Sequence, residues 1–185
     1  MPETYMTEEE MIAGSLKKDE KAQKALYTSL SGKMMGVALR YCNSQQEAED
    51  VLQNGFIKVF GKLKSYNGEG VFEGWVRRII VNTALDYIRK SKNERFHMDV
   101  NEVDYLLADQ TIILEALAAE DLLKVIQELP AGYRTVFNLF AIEGYSHKEI
   151  AEELGVTVNT SKSQYSRART FLQKKLEDIN ITSSE

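Results

Sequence analysis

The chain has 185 residues, 43% hydrophobic and 28% charged, with a formal net charge of −5, an ordinary globular composition for one domain or two small ones. Its lone cysteine, Cys42, excludes an intramolecular disulfide. No apolar run approaches the roughly 18 to 20 residues of a membrane span, and the N-terminus lacks the basic-then-apolar order of a signal peptide, so a cytoplasmic protein without membrane insertion is expected.

Two prolines and few alternating runs stand against long stretches of Ala, Leu, Glu, Lys and Gln, the residues that lose least on entering a helix. The predicted fold is all-α, with two small helical domains. In the first, Leu26, Leu30, Met34, Val37, Ala38 and Tyr41 recur at helical spacing and share a face. Ser44 opens a second helix, forms a capping-box pattern with Glu47, and precedes the stripe Val51, Leu52, Phe56, Val59, Phe60 and Leu63. Asn54-Gly55 sits awkwardly inside it, since that dipeptide is a turn signal.

Lys64 to Gly70 reads as a loop, and Phe72, Trp75, Val76, Ile79, Ile80, Ala84, Leu85 and Ile88 build a third helix in which Trp75 is expected to be buried. From Ser91 to about Ala118 acidic content rises without a sustained period, yet Leu106-Leu107 and Ile112-Ile113-Leu114 are too apolar for a solvated tether. This segment is expected to be a linker that docks. The boundaries expected are 1–92, a linker over 93–118, and a second domain over 119–185.

Four short helices are predicted in the second domain. One ends at Pro130; another runs from Tyr133 to Ile142 and stops at Gly144. Ser146-His147-Lys148-Glu149 is a second capping box, followed by Ile150, Ala151 and Leu154 on one face, then Gly155-Val156-Thr157 and a helix to about Leu176. Helix, glycine turn, helix is the helix-turn-helix pattern. Tyr165, Ala168, Leu172 and Leu176 form the buried stripe of the last helix, which leaves Lys162, Ser163, Gln164, Ser166 and Arg167 facing outward. Between Thr160 and Leu176 there is no carboxylate, so an acidic chain still presents a locally basic face, as phosphate binding requires.

Leu129-Pro130, Tyr133-Arg134-Thr135-Val136-Phe137, Glu143 to Ala151, Lys162-Ser163 and Arg167-Ala168-Arg169 together resemble region four of the extracytoplasmic-function sigma factors. Glu47 to Gln53 with Phe56-Ile57-Lys58 is similar to that family's region two, and Phe72, Trp75 and Ile79 to Ile88 resemble its promoter-melting helix. The resemblance implies a dissociable initiation subunit of bacterial RNA polymerase, with core RNA polymerase, promoter DNA and an anti-sigma factor as partners and with no cofactor or metal. It implies that Asp50, Gln53, Asn54 and Lys58 contact the core enzyme. Asn82, Tyr87 and the loop from Ser65 to Gly70 would hold the separated strand at the minus-ten element, with Arg77, Arg78, Arg89 and Lys90 on its backbone. Lys162, Ser163, Gln164 and Arg167 would read the minus-thirty-five element, with Thr160 on phosphate. The chain departs from the family at Ser161, where an apolar residue is usual, and at Gln164, where Arg or Lys is usual.

Catalysis is not expected. His97 and His147 are the only histidines, no metal-ligand spacing occurs, His147 is expected to be solvated in its capping box, and Gly68, Gly70 and Gly74 miss the dinucleotide-binding spacing. The competing reading is a stand-alone helix-turn-helix regulator or repressor.

Overall fold

A computed structural model describes residues 6–95 and 119–182. The chain divides into two compact units, Met1–Phe96 and His97–Glu185, and every regular element among the described residues is helical. Most of the expected linker lies outside the described residues.

The first unit holds α1 (Glu8–Leu16), α2 (Glu20–Leu39), α3 (Gln45–Lys62) and α4 (Phe72–Arg95). Each of the first three starts where a short polar side chain meets the unpaired N–H groups of a first turn. Thr7 and Glu10 close a reciprocal capping box on α1, and Asp19 accepts from the N–H of Lys21 and Ala22 on α2. At α3 the Ser44 hydroxyl accepts from Glu47 N–H, but the Glu47 carboxylate accepts from Asn43 N–H at 2.8 Å, one residue earlier than a capping box places it. A 3₁₀ turn, Leu63–Ser65, ends the hairpin arm, and α4 continues three residues past the domain boundary expected from sequence, because Ser91 to Arg95 contains nothing that breaks a helix.

The core of this unit joins Leu26, Met34, Val59, Phe72, Val76 and Ile80, none more than 1% exposed. Asn54-Gly55 does not interrupt α3. Gly55 is buried at the crossing of α3 with α4, and a Cβ there would collide with Ile80 Cδ1. The glycine is a packing residue, and its helical cost is offset by the closeness of the two backbones. Gly55→Leu should lower the unfolding free energy by about 1–3 kcal/mol through overpacking, measured by denaturant melts of the full chain.

The second unit holds α5 (Ala119–Gln127), α6 (Ala131–Phe137), α7 (His147–Leu154) and α8 (Val158–Thr182). The run expected from Tyr133 to Ile142 is in two parts, since α6 passes into a π-helical turn over Asn138–Ile142 before Gly144 stops it at φ +76°. Val125, Ile126, Leu129 and Phe137 pack with Ala168 and Leu172 of α8. Arg134 is almost fully buried, and its Nη1 donates to Gln127 O at 2.9 Å, satisfying a carbonyl at the end of α5. The two α8 residues at this centre, Ala168 and Leu172, belong to the stripe expected from sequence; Tyr165 and Leu176 are only partly covered.

Candidate nucleic-acid interface

The helix-turn-helix is built from the local rules that predicted it. Ser146 and Glu149 exchange both capping hydrogen bonds, α7 buries Ile150 and Ala151, and Gly155 ends it in the left-handed region at φ +66°, a backbone that costs an L side chain about 1–2 kcal/mol. Thr157 then starts α8: its Oγ1 accepts from Thr160 N–H at 3.0 Å, and the two hydroxyls lie 2.8 Å apart. Thr160 is therefore tied into the start of the helix and half-buried.

Only part of the outward face expected on α8 is outward. Lys162 and Ser163 are exposed, one turn into the helix. Gln164, Ser166 and Arg167 are half-buried, the first and last of them because α6 lies along their side. The Gln164 carboxamide sits beside Gly132, and Arg167 Nη1 donates to the Tyr133 hydroxyl at 3.3 Å. The basic face is also not wholly unopposed: Lys175 pairs with Glu128, just past the end of α5, at 2.6 Å, which raises the lysine pKa.

His147 is half-buried rather than freely solvated in its capping box. Its ring stacks on Phe140 at 4.3 Å between centroids, Tyr165 meets its edge at 5.8 Å, and Nδ1 lies 2.9 Å from Ser161 Oγ. Burial, with a smaller contribution from the Lys162 charge, pulls its pKa below the ordinary 6.5. The family departure at Ser161 thus has a local cause, for the hydroxyl is wholly buried yet partnered.

On the first unit the structure sorts the remaining candidates onto two helices. Arg78, Asn82 and Arg89 lie four and seven residues apart, share one side of α4 and are exposed, as is Lys90. Arg77 and Tyr87 are on other sides and half-buried. Burial first, and then the carboxylate of Glu47, raise the Tyr87 pKa, which places its hydroxyl toward the start of α3 rather than beside Asn82. On α3, Asp50, Gln53 and Asn54 form an exposed face, with the Asn54 amide donating to Asp50 O at 2.9 Å.

Three features were not anticipated from the sequence. Asp86 joins the two helices: Lys58 Nζ and Arg89 Nη2 each donate to its carboxylate at 2.9 Å, and Lys58 above all holds its pKa below the usual value. Ile57, seven residues after Asp50, is 69% exposed on the same polar face, a signal that was available in the register. Trp75 is only partly buried, forming a cluster with Phe72 at 5.7 Å and Tyr66 at 5.5 Å, while the Tyr66 hydroxyl donates to Gly70 O and closes the loop.

No helix among the described residues is long and apolar enough to cross a membrane. A capped, glycine-turned helix pair with an exposed lysine and serine near the start of its second helix defines a helix-turn-helix protein. The chain also matches the family Sigma-70 region 2 over residues 26–94 and Sigma-70, region 4 over residues 119–172. It is 28% identical to the RNA polymerase sigma-H factor of Pseudomonas aeruginosa, covering 95% of this chain and 97% of that protein. With the ECF RNA polymerase sigma factor SigW of Bacillus subtilis it shares 29% identity over 92% of this chain and 100% of SigW. A solved structure of the sigma factor RpoE from Bartonella quintana, in complex with the anti-sigma factor NepR, aligns with a TM-score of 0.49 at 24% identity over 83% of this chain and 96% of that one. The chain belongs to the extracytoplasmic-function sigma factors of the sigma-70 family.

Proposed function

We propose that this protein directs core RNA polymerase to specific promoters through surfaces on both units, as an initiation factor without chemistry of its own. The observation that carries the reading is the order of two independent family matches, region 2 then region 4, the second containing a capped helix-turn-helix. A stand-alone repressor needs only the second.

In this reading Asp50, Gln53 and Asn54 face the core enzyme, with the exposed Ile57 as the apolar anchor that a helical partner surface requires. Lys58 belongs to that surface while tied to Asp86. Arg78, Asn82, Arg89 and Lys90 face the minus-ten strand, where a basic track and polar side chains suit unpaired bases. Tyr87 and Arg77 support this surface from the helix's other sides. Lys162 and Ser163 read the minus-thirty-five duplex, and Gln164 and Arg167 reach it from beside α6, with Thr160 at phosphate. An anti-sigma protein that masks these surfaces is the regulatory partner, and the site of action is the cytoplasm.

Run-off transcription tests the reading. Purified chain added to core polymerase should start transcripts from a promoter that core alone ignores. A repressor would give none, and would block transcripts from an established holoenzyme.

A further inference from the structure

The contact between α7 and α8 holds a polar pair, a buried serine and a half-buried histidine, where an apolar one would be simpler. Ser161 is wholly buried, and its hydroxyl meets His147 Nδ1 at 2.9 Å. The imidazole is itself confined, stacked on Phe140 at an interplanar angle of 14° and edged by Tyr165. Phe140 comes from the π-helical turn, while Tyr165 and Ser161 come from α8, so two separate segments converge on the α7 ring. Ser161 directly precedes the exposed Lys162 and Ser163.

We propose that the His147–Ser161 hydrogen bond is a positioning joint that sets the register of α8 on α7, and through it the placement of Lys162 and Ser163 in the promoter groove. Apolar surfaces attract without direction and let one helix slide or roll on another. A hydrogen bond between a clamped ring and a helix-borne hydroxyl is short and angular. A buried hydroxyl without its partner also costs free energy, so alternative registers are penalised. Base-edge contacts have the same short reach, and a shift of an ångström at Ser161 carries over to its neighbours undiminished. His147 and Ser161 themselves touch no base; they act through the helix.

The inference rests on α8 being the duplex-reading helix, and the test separates the two. Full-length chain is assembled with core polymerase. The wild-type holoenzyme selects a minus-thirty-five element from a randomised duplex pool, and discrimination is the ratio of its affinities for the selected and a scrambled duplex. A wild type that selects no element overturns the reading of α8, and the joint with it. Given selection, His147→Ala and Ser161→Ala should each reduce discrimination about tenfold, the scale of one directional hydrogen bond. The double variant should be no worse than either single one, since both remove the same interaction. His147→Asn keeps a hydrogen-bonding atom near the place of Nδ1 and should stay within about threefold of wild type. Wild-type discrimination in the single variants, additive losses in the double, or a His147→Asn as poor as His147→Ala would each overturn the joint. Should His147→Ala fail to fold, Ser161→Ala, which only deletes a hydroxyl from a helix, and His147→Asn carry the decision.

Discussion

Replacing Asp50 with lysine is expected to weaken assembly with core polymerase about a hundredfold, while the unfolding midpoint of the free chain barely moves. Asp50 is exposed on α3, where a charge change seldom costs more than about 0.5 kcal/mol of stability. Its carboxylate is one helical turn from Gln53 and Asn54 and two from Ile57, an apolar side chain left 69% in solvent. A face of that kind gains nothing for the isolated chain and suits a partner helix with an apolar seam and a basic rim. Reversing the charge removes an attraction and adds a repulsion, and close interfacial charges are commonly worth about 2–5 kcal/mol. Pull-down or fluorescence titration against core enzyme measures the effect, with calorimetry of the free chain as the control. Undiminished binding would remove α3 from the core-enzyme surface.

Changing Lys162 to glutamate is the second large effect. This residue is exposed on α8, in the turn that a recognition helix inserts into a groove. Removing a base or phosphate interaction at that position costs about 1–3 kcal/mol, and a carboxylate facing DNA adds repulsion, so initiation at a minus-thirty-five-dependent promoter should fall roughly thirty- to hundredfold. Binding to core enzyme should not change, because Lys162 belongs to the second unit and the core-enzyme surface proposed above lies on α3 of the first. A second readout comes with it. Lys162 is one of the two causes that lower the His147 pKa, so in Lys162→Glu the imidazole should titrate closer to its ordinary value, observable by proton NMR. Unaltered initiation would show that another part of α8 meets the duplex.

Arg167 is less clean as a probe of DNA binding than its place in the sequence suggests. Its guanidinium donates to the Tyr133 hydroxyl, so truncating it would loosen α6 against α8 as well as remove a charge. The sequence placed it outward by counting turns along one helix. The neighbouring helix decided otherwise, and no periodicity within α8 carries information about α6. Gln164 followed the same course: its carboxamide lies against Gly132 of α6.

The elements themselves were legible because their causes are local. Ser44 and Ser146 caps, the stop at Gly155, and stripes at spacings of three and four each act within a few residues. The helix-turn-helix, the all-α class and the family resemblance followed from such features. What local signals could not supply was the partner of each side chain. Gly55 has the marks of a turn residue until Ile80 of α4 lies against it. His147 has those of a solvated one until Phe140, Tyr165 and Ser161 close around it. Lys58 and Arg89, assigned to different surfaces, converge on Asp86.

The amino-acid sequence by itself determined several helix starts and stops, such as those at Ser44, Ser146 and Gly155, which stripe of a helix is apolar, and that a basic, carboxylate-free segment follows a glycine turn. Tertiary structure alone decided which polar side chains remain available to DNA or polymerase. The physical reason is one of range: capping and periodicity are settled by neighbours in the chain, whereas burial and charge pairing depend on residues brought close only when helices pack.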